Sequence, residues 1–325
     1  MKIMKGLVRI GCILLGLLAV GCTGGSRSKT SMEAMADQKA ASFDADSAYS
    51  YVADQVAFGP RTPGSSEHKL CGDWIGSKLR SWGYSVVEQR FPGKDYFGKA
   101  LEGRNIIAYL EPKPERRVLL MAHWDTRAVA DYDHDPSKRG TPILGADDGG
   151  SGVGVLLELA RQNALRSEPL GLDFIFFDLE DGGNSADNDS WCLGSQYWAK
   201  NPHLPDYKAD YGILLDMVGS KNAKFHWEGY SKAYAAPVMY RIWDVARQLG
   251  WSKYFISADG GDMIDDHVPV IKHRGVPSVD IINYDQNNPK GFGNHWHTHG
   301  DNLNIIDKQT LRAVGETVAT VLQDK

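Results

Sequence analysis

Five short stretches of this chain are apolar almost without interruption: residues 105–110, 118–122, 172–177, 211–215 and 278–282. A strand with one wet face alternates polar and apolar side chains, whereas a strand buried on both faces reads as a continuous apolar run. Five such runs therefore call for a sheet covered on both sides. Helical stretches at 151–162, 194–200, 235–249 and 308–322 separate several of them and supply the cover. A further helix is expected from Ser65 or Ser66 to Trp82, where Cys71, Trp74, Ile75, Lys78, Leu79 and Trp82 recur at helical spacing and Gly83 supplies the stop. Strand alternating with helix predicts an α/β fold, a single globular domain over residues 43–325 with a mixed, mostly parallel central sheet flanked by helices. No internal repeat or second linker interrupts it.

Composition narrows the function classes. Of the 325 residues, 42% are hydrophobic and 24% charged, which excludes a mainly disordered, collagen-like or multi-span membrane chain. The net charge of −5 provides no basic field for nucleic acid. Nine Trp and fourteen Tyr suit either a pocket lining or an aromatic core.

The N-terminus reads as an export signal. Lys2, Lys5 and Arg9 form a basic region, followed by an uncharged apolar run too short to be a permanent span. Leu18-Ala19-Val20-Gly21-Cys22 resembles a bacterial lipobox, which implies removal of residues 1–21 and a lipid on Cys22. Residues 22–42 read as a flexible tether. The expected place is the bacterial cell envelope: periplasmic, lipid-anchored to a membrane, the outer one ahead of the inner. Loss of the three basic residues would take the charge from −5 to −8. Cys71 and Cys192 then remain in the domain, either paired in an oxidising compartment or as two buried thiols.

In open α/β sheets ligands bind beyond the carboxyl ends of the strands. There the sequence places His123-Trp124-Asp125, then Asp147-Asp148-Gly149-Gly150, Asp178-Leu179-Glu180-Asp181, Asp216, and His295-Trp296-His297-Thr298-His299. Each alone reads as a turn, a cap or a solvated loop. Together they bring carboxylate and imidazole to one edge, a donor set that suits Zn²⁺ with an open position for catalysis. No Gly-x-Ser-x-Gly elbow surrounds Ser195, so a serine nucleophile is not indicated.

This ordered set of motifs resembles the zinc aminopeptidase-like α/β fold. Within it the chain is most similar to the glutaminyl-peptide cyclotransferases of animal type. Three details carry the branch: Asp265-Asp266-His267-Val268-Pro269, Trp296 directly before His297, and Trp191 in the loop after Asp181. The resemblance implies one zinc per chain on Asp148, Asp181 and His297, with Glu180 as general acid/base. Asp216 and Asp265 would form a hydrogen-bonded carboxylate network with Glu180. Trp191 and Trp296 would contact substrate, with core packing as their alternative role. Asp181 is a departure, since the family has Glu there. His123 and Asp125 match the second-zinc motif of the peptidases; in the cyclases the His remains without that metal. The implied partners are peptides or proteins with N-terminal Gln and, through Cys22, a membrane; a monomer is expected. The rivals are a two-zinc aminopeptidase of the same fold and a non-enzymatic binding module, although no ligand or acid/base is missing.

Overall fold

The structure, a computed structural model, describes residues 43–323 apart from 112–115, 185, 287 and 290. The expected signal and tether lie outside the described residues. The elements are α1 (Ala45–Phe58), α2 (Ser66–Ser81), β1 (Ser85–Lys94), β2 (Ala100–Tyr109), β3 (Val118–His123), α3 (Gly150–Ala164), β4 (Leu172–Phe177), α4 (Leu193–Lys200), β5 (Tyr211–Asp216), β6 (Phe225–Glu228), α5 (Gly229–Gln248), β7 (Phe255–Gly261), β8 (Ser278–Ile282) and α6 (Lys308–Gln323).

Six strands form the central sheet in the order β1-β2-β4-β3-β5-β8. β4, β3, β5 and β8 run parallel, while β2 pairs antiparallel with both β1 and β4. The mixed, mostly parallel sheet expected from the sequence is therefore present. Alternation along β3 explains its unbroken apolar run. Leu120 and Ala122 join the larger core, with residues of α1, α2, α3, α5 and α6, whereas Leu119 and Met121 join a second core with Trp198 of α4 and Val270. Both sets of side chains leave water, so along β3 both faces are apolar up to His123.

Some elements depart from expectation. β1 was not anticipated: it is an edge strand, its burial is mostly partial, and it includes Pro92. The β6–β7 pair was also missed; it is short, with register shifts. α5 begins at Gly229, six residues before the expected Ala235, where the backbone (φ −136°, ψ 27°) breaks helical geometry two residues ahead of Pro237. A proline inside a helix removes a donor and crowds the preceding turn, which hides the first segment from a periodicity count. Cys71 and Cys192 are both buried free thiols, so no disulfide joins them. Among the described residues no helix is long and apolar enough to cross a membrane.

Candidate active site

Because β3, β4, β5 and β8 are parallel, their carboxyl ends share one edge. His123 ends β3 and Asp216 ends β5. Glu180 and Asp181 follow β4, Asp148 precedes α3, Asp265 lies between β7 and the helical turn His267–Pro269, and His297 sits in the loop after β8. The backbone is forced to bring them together. Among the described residues, Leu179, Cys192, Met217 and His297 are four of the five non-glycine residues with positive φ, and all four are in or beside the site. Such conformations cost free energy and persist only where surrounding structure imposes them. Gly149 has a steric cause: a Cβ there would meet the His123 carbonyl at 2.5 Å and its ring at 2.8 Å.

Asp148, Asp181 and His297 each offer a ligand atom, and these atoms all lie within 4.8 Å of one another. All three residues are buried. Asp148 Oδ2 and Asp181 Oδ2 find no hydrogen-bond donor among the described residues. Two orphan carboxylate oxygens beside an imidazole are costly without a cation, and they match the three protein ligands of an open zinc site. His123, Asp148 and Asp216 form a second group with the same spacing. There His123 Nε2 lies 3.1 Å from both Asp148 Oδ1 and Asp216 Oδ1. Asp125 supports the acidic pair from below: its carboxylate accepts the backbone N–H groups of Glu180 (3.1 Å) and Asp181 (3.2 Å).

Glu180, Cys192 and Asp265 also have ligand-type atoms within 4.8 Å, and Cys192 Sγ lies 3.5 Å from Glu180 Oε1. Burial raises the Glu180 carboxyl well above its ordinary range, and the charges of Asp265, Asp181 and Asp266 push the same way. Burial lifts Asp216 to about 6 and Asp265 to about 7. Among the described residues the hydrogen bonds of Asp216 and Asp265 go to His123 and to the Asp266 N–H, not to Glu180, so the expected hydrogen-bonded network is not formed; Asp265 acts on Glu180 through its charge. Asp148 moves the other way: burial opposes its ionisation, but His123 and His297 hold it below the usual carboxylate range.

A cavity of about 300 Å³ opens above these groups, floored by Asp148, Glu180, Asp181, Asp216, Asp265 and His297. Trp191, Trp296, Phe292 and Ile264 form its walls. Both tryptophans line the cavity, and both stack on His297: Trp296 at 3.7 Å and 24°, Trp191 at 6.2 Å and 13°. A site of this size suits one side chain with its backbone amine.

Three supporting residues carried no sequence signal. Asp301 accepts the backbone N–H groups of Asp147 (2.7 Å) and Asp148 (3.1 Å), which fixes the turn that presents the Asp148 carboxylate. Arg127 and Asp131 pack behind Asp181 and His297. An isolated Arg or Asp in a loop has no period or spacing to mark it.

The family model for Peptidase family M28 matches residues 105–322. A glutaminyl cyclase from Porphyromonas gingivalis has a crystal structure that superposes with a TM-score of 0.84 at 55% identity, over 86% of this chain and 98% of that one. A protein described as a Zn-dependent exopeptidase from Parabacteroides distasonis is 53% identical, with a TM-score of 0.84 over 87% and 99% of the two chains. The glutaminyl-peptide cyclotransferase of Drosophila melanogaster is 27% identical over 77% of this chain and 73% of its own.

Proposed function

The chain belongs to peptidase family M28, and we infer that it is a glutaminyl-peptide cyclotransferase. The enzyme converts the N-terminal Gln of peptides and proteins to pyroglutamate and releases ammonia. One observation carries the mechanism: a partly buried carboxyl with a raised proton affinity, Glu180, stands beside the Asp148–Asp181–His297 trio in a cavity lined by two indoles.

Zinc held by Asp148, Asp181 and His297 would act as a Lewis acid toward the γ-amide oxygen. The protein does the rest. Trp191 and Trp296 confine the Gln side chain so that its own α-amine faces the amide carbon, and an intramolecular attack needs little beyond this conformer. Glu180 takes a proton from the α-amine as the new C–N bond forms. It returns that proton to the amide nitrogen, which leaves as ammonia when the old C–N bond breaks. Asp265, which has a carboxylate oxygen within 4.8 Å of one on Glu180 and is raised by burial to about 7, would hold a proton beside it.

We propose one zinc per chain, since His123 Nε2 is already shared by Asp148 and Asp216. The same trio has the spacing a second ion would need, which is the observation in favour of the aminopeptidase reading. Incubation with Gln-initiated and Leu-initiated peptides separates the two. Ammonia from the first alone is expected; free leucine from the second would overturn the cyclase. Zinc content of about one per chain rather than two is the matching result.

We also propose that the mature chain is tethered to an envelope membrane by a lipid on Cys22. Support comes from the lipobox-like run and the polar segment after it. Cys22→Ser should yield active protein that no longer sediments with membranes. A variant that stays with the membrane fraction would refute the anchor.

A further inference from the structure

Arg127 is buried, 2% exposed, although nothing in the mechanism above uses it. Its guanidinium satisfies several partners at once. Nε and one terminal nitrogen form a fork with Asp131, at 2.9 Å and 2.7 Å. The other terminal nitrogen donates to the carbonyls of Asp181 (2.9 Å) and Gly183 (3.2 Å), and lies 3.5 Å from Asp181 Oδ1. Its carbon centre lies 5.0 Å from the Tyr96 ring and 4.9 Å from the Trp191 ring, so the cation contacts two aromatic rings. Beyond the fork, Asp131 Oδ1 lies 3.3 Å from His297 Nδ1, the ring nitrogen facing away from Asp148 and Asp181.

We propose that Arg127 is a positioning residue that sets the metal-binding face of His297 and the substrate-binding face of Trp191 together. The reasoning is geometric. A planar fork fixes the Asp131 carboxylate, and its negative charge 3.3 Å from Nδ1 favours the imidazole orientation that turns Nε2 toward the other ligands. The same plane presents its faces to Trp191 and Tyr96, an attraction that strengthens when the cation is desolvated. Lysine would keep the charge and lose both the fork and the stacking surface. The carbonyl bonds to Asp181 and Gly183 hold the start of the loop that carries Trp191. Metal site and aromatic wall are thereby joined through one side chain.

The proposal rests on the cyclase reading for what the wall contacts, so the readouts that decide it need no turnover, and KM serves only as a further check. Zinc affinity is measured by competition with a chromophoric chelator. The Trp191 environment is followed by ¹⁹F spectra of metal-free, 5-fluorotryptophan-labelled protein, with the resonance assigned by its loss in Trp191→Phe. Arg127→Lys should weaken zinc binding by roughly 10- to 100-fold, the usual cost of disturbing a residue behind a ligand. It should also move the Trp191 resonance and raise KM for a Gln peptide by roughly 3- to 30-fold. Asp131→Asn should weaken zinc and leave that resonance in place. Tyr96→Leu should move the resonance and leave zinc affinity intact. In a Trp191→Ala background Arg127→Lys should add no further rise in KM. Native zinc affinity in both Arg127→Lys and Asp131→Asn would overturn the metal half. A fixed Trp191 resonance in Arg127→Lys and Tyr96→Leu would overturn the aromatic half. If Arg127→Lys fails to fold, the other two variants decide. Loss of cyclisation alone, with these shifts as expected, would count against the proposed function and not against this role.

Discussion

At the residue scale the proposed function assigns different tasks to two adjacent carboxylates. Glu180 and Asp181 are held by the same Asp125 carboxylate through their backbone N–H groups, yet Asp181 lies 3.1 Å from His297 Nε2 while Glu180 approaches Cys192. Glu180→Gln should lower kcat by roughly 10²- to 10⁴-fold with zinc content unchanged, as loss of a general acid/base does. His297→Ala should abolish zinc binding and activity together, because only two protein ligands would remain. Parallel measurement of zinc content and turnover checks both, and a zinc-free Glu180→Gln would reverse the assignment. These residues were legible because each follows a recognisable strand or loop motif in a fixed order. Asp301, Arg127 and Asp131 were not, since they act through backbone groups and ring faces that only the folded chain brings near.

At the element scale two glycines report how tightly the site is built. A Cβ on Gly152 would meet the Leu215 carbonyl at 2.2 Å, so α3 lies directly on the end of β5, one residue from Asp216. Gly152→Ala should destabilise the domain by about 1–3 kcal/mol or more, visible as a lower Tm. Gly183 is different: a Cβ there would strike the Trp191 ring at 2.1–2.5 Å. Gly183→Ala should displace the indole and raise KM while Tm changes little, which steady-state kinetics and a thermal melt together distinguish. The parallel strands were readable because burial on both faces leaves unbroken apolar runs. β1 was not, since its Ser85–Lys94 sequence mixes charge, Gly and Pro along a half-wet edge. The first turns of α5 were hidden by the break at Ala235, where the rules for an isolated helix stop applying.

At the scale of the whole molecule the buried acids set how stability varies with pH. Burial raises Asp216 to about 6, and Asp265 and Asp301 to about 7, from ordinary values near 4. An unfolded chain gives up these protons earlier than the folded one. Their stabilising contribution is therefore complete below about pH 4 and is lost as pH rises through 6 to 7. Glu228 has the opposite sign: burial opposes its ionisation, but hydrogen bonds with His267 and Ser231 lower it to about 2. Its contribution is present above about pH 4.5 and is lost on acidification toward 2. The metal-free protein should show a Tm that falls between pH 5 and pH 8, and added zinc should restore much of the loss by binding only the folded state. Asp265→Asn should flatten that slope; an unchanged slope would show that the carboxyl is not buried in the protonated form.

The His295–Asp147 contact, 2.9 Å between residues 148 positions apart, has a consequence for how the molecule comes into being. His297 reaches Asp148 and Asp181 only when the chain beyond β8 folds back over more than a hundred residues, and a closure of that length comes late and slowly. A chain that has paired its strands but has not closed this loop lacks one of the three proposed ligands, and lacks the α6 side chains that complete the larger core. With the proposed ligand set, metal capture would mark the completion of folding rather than its start.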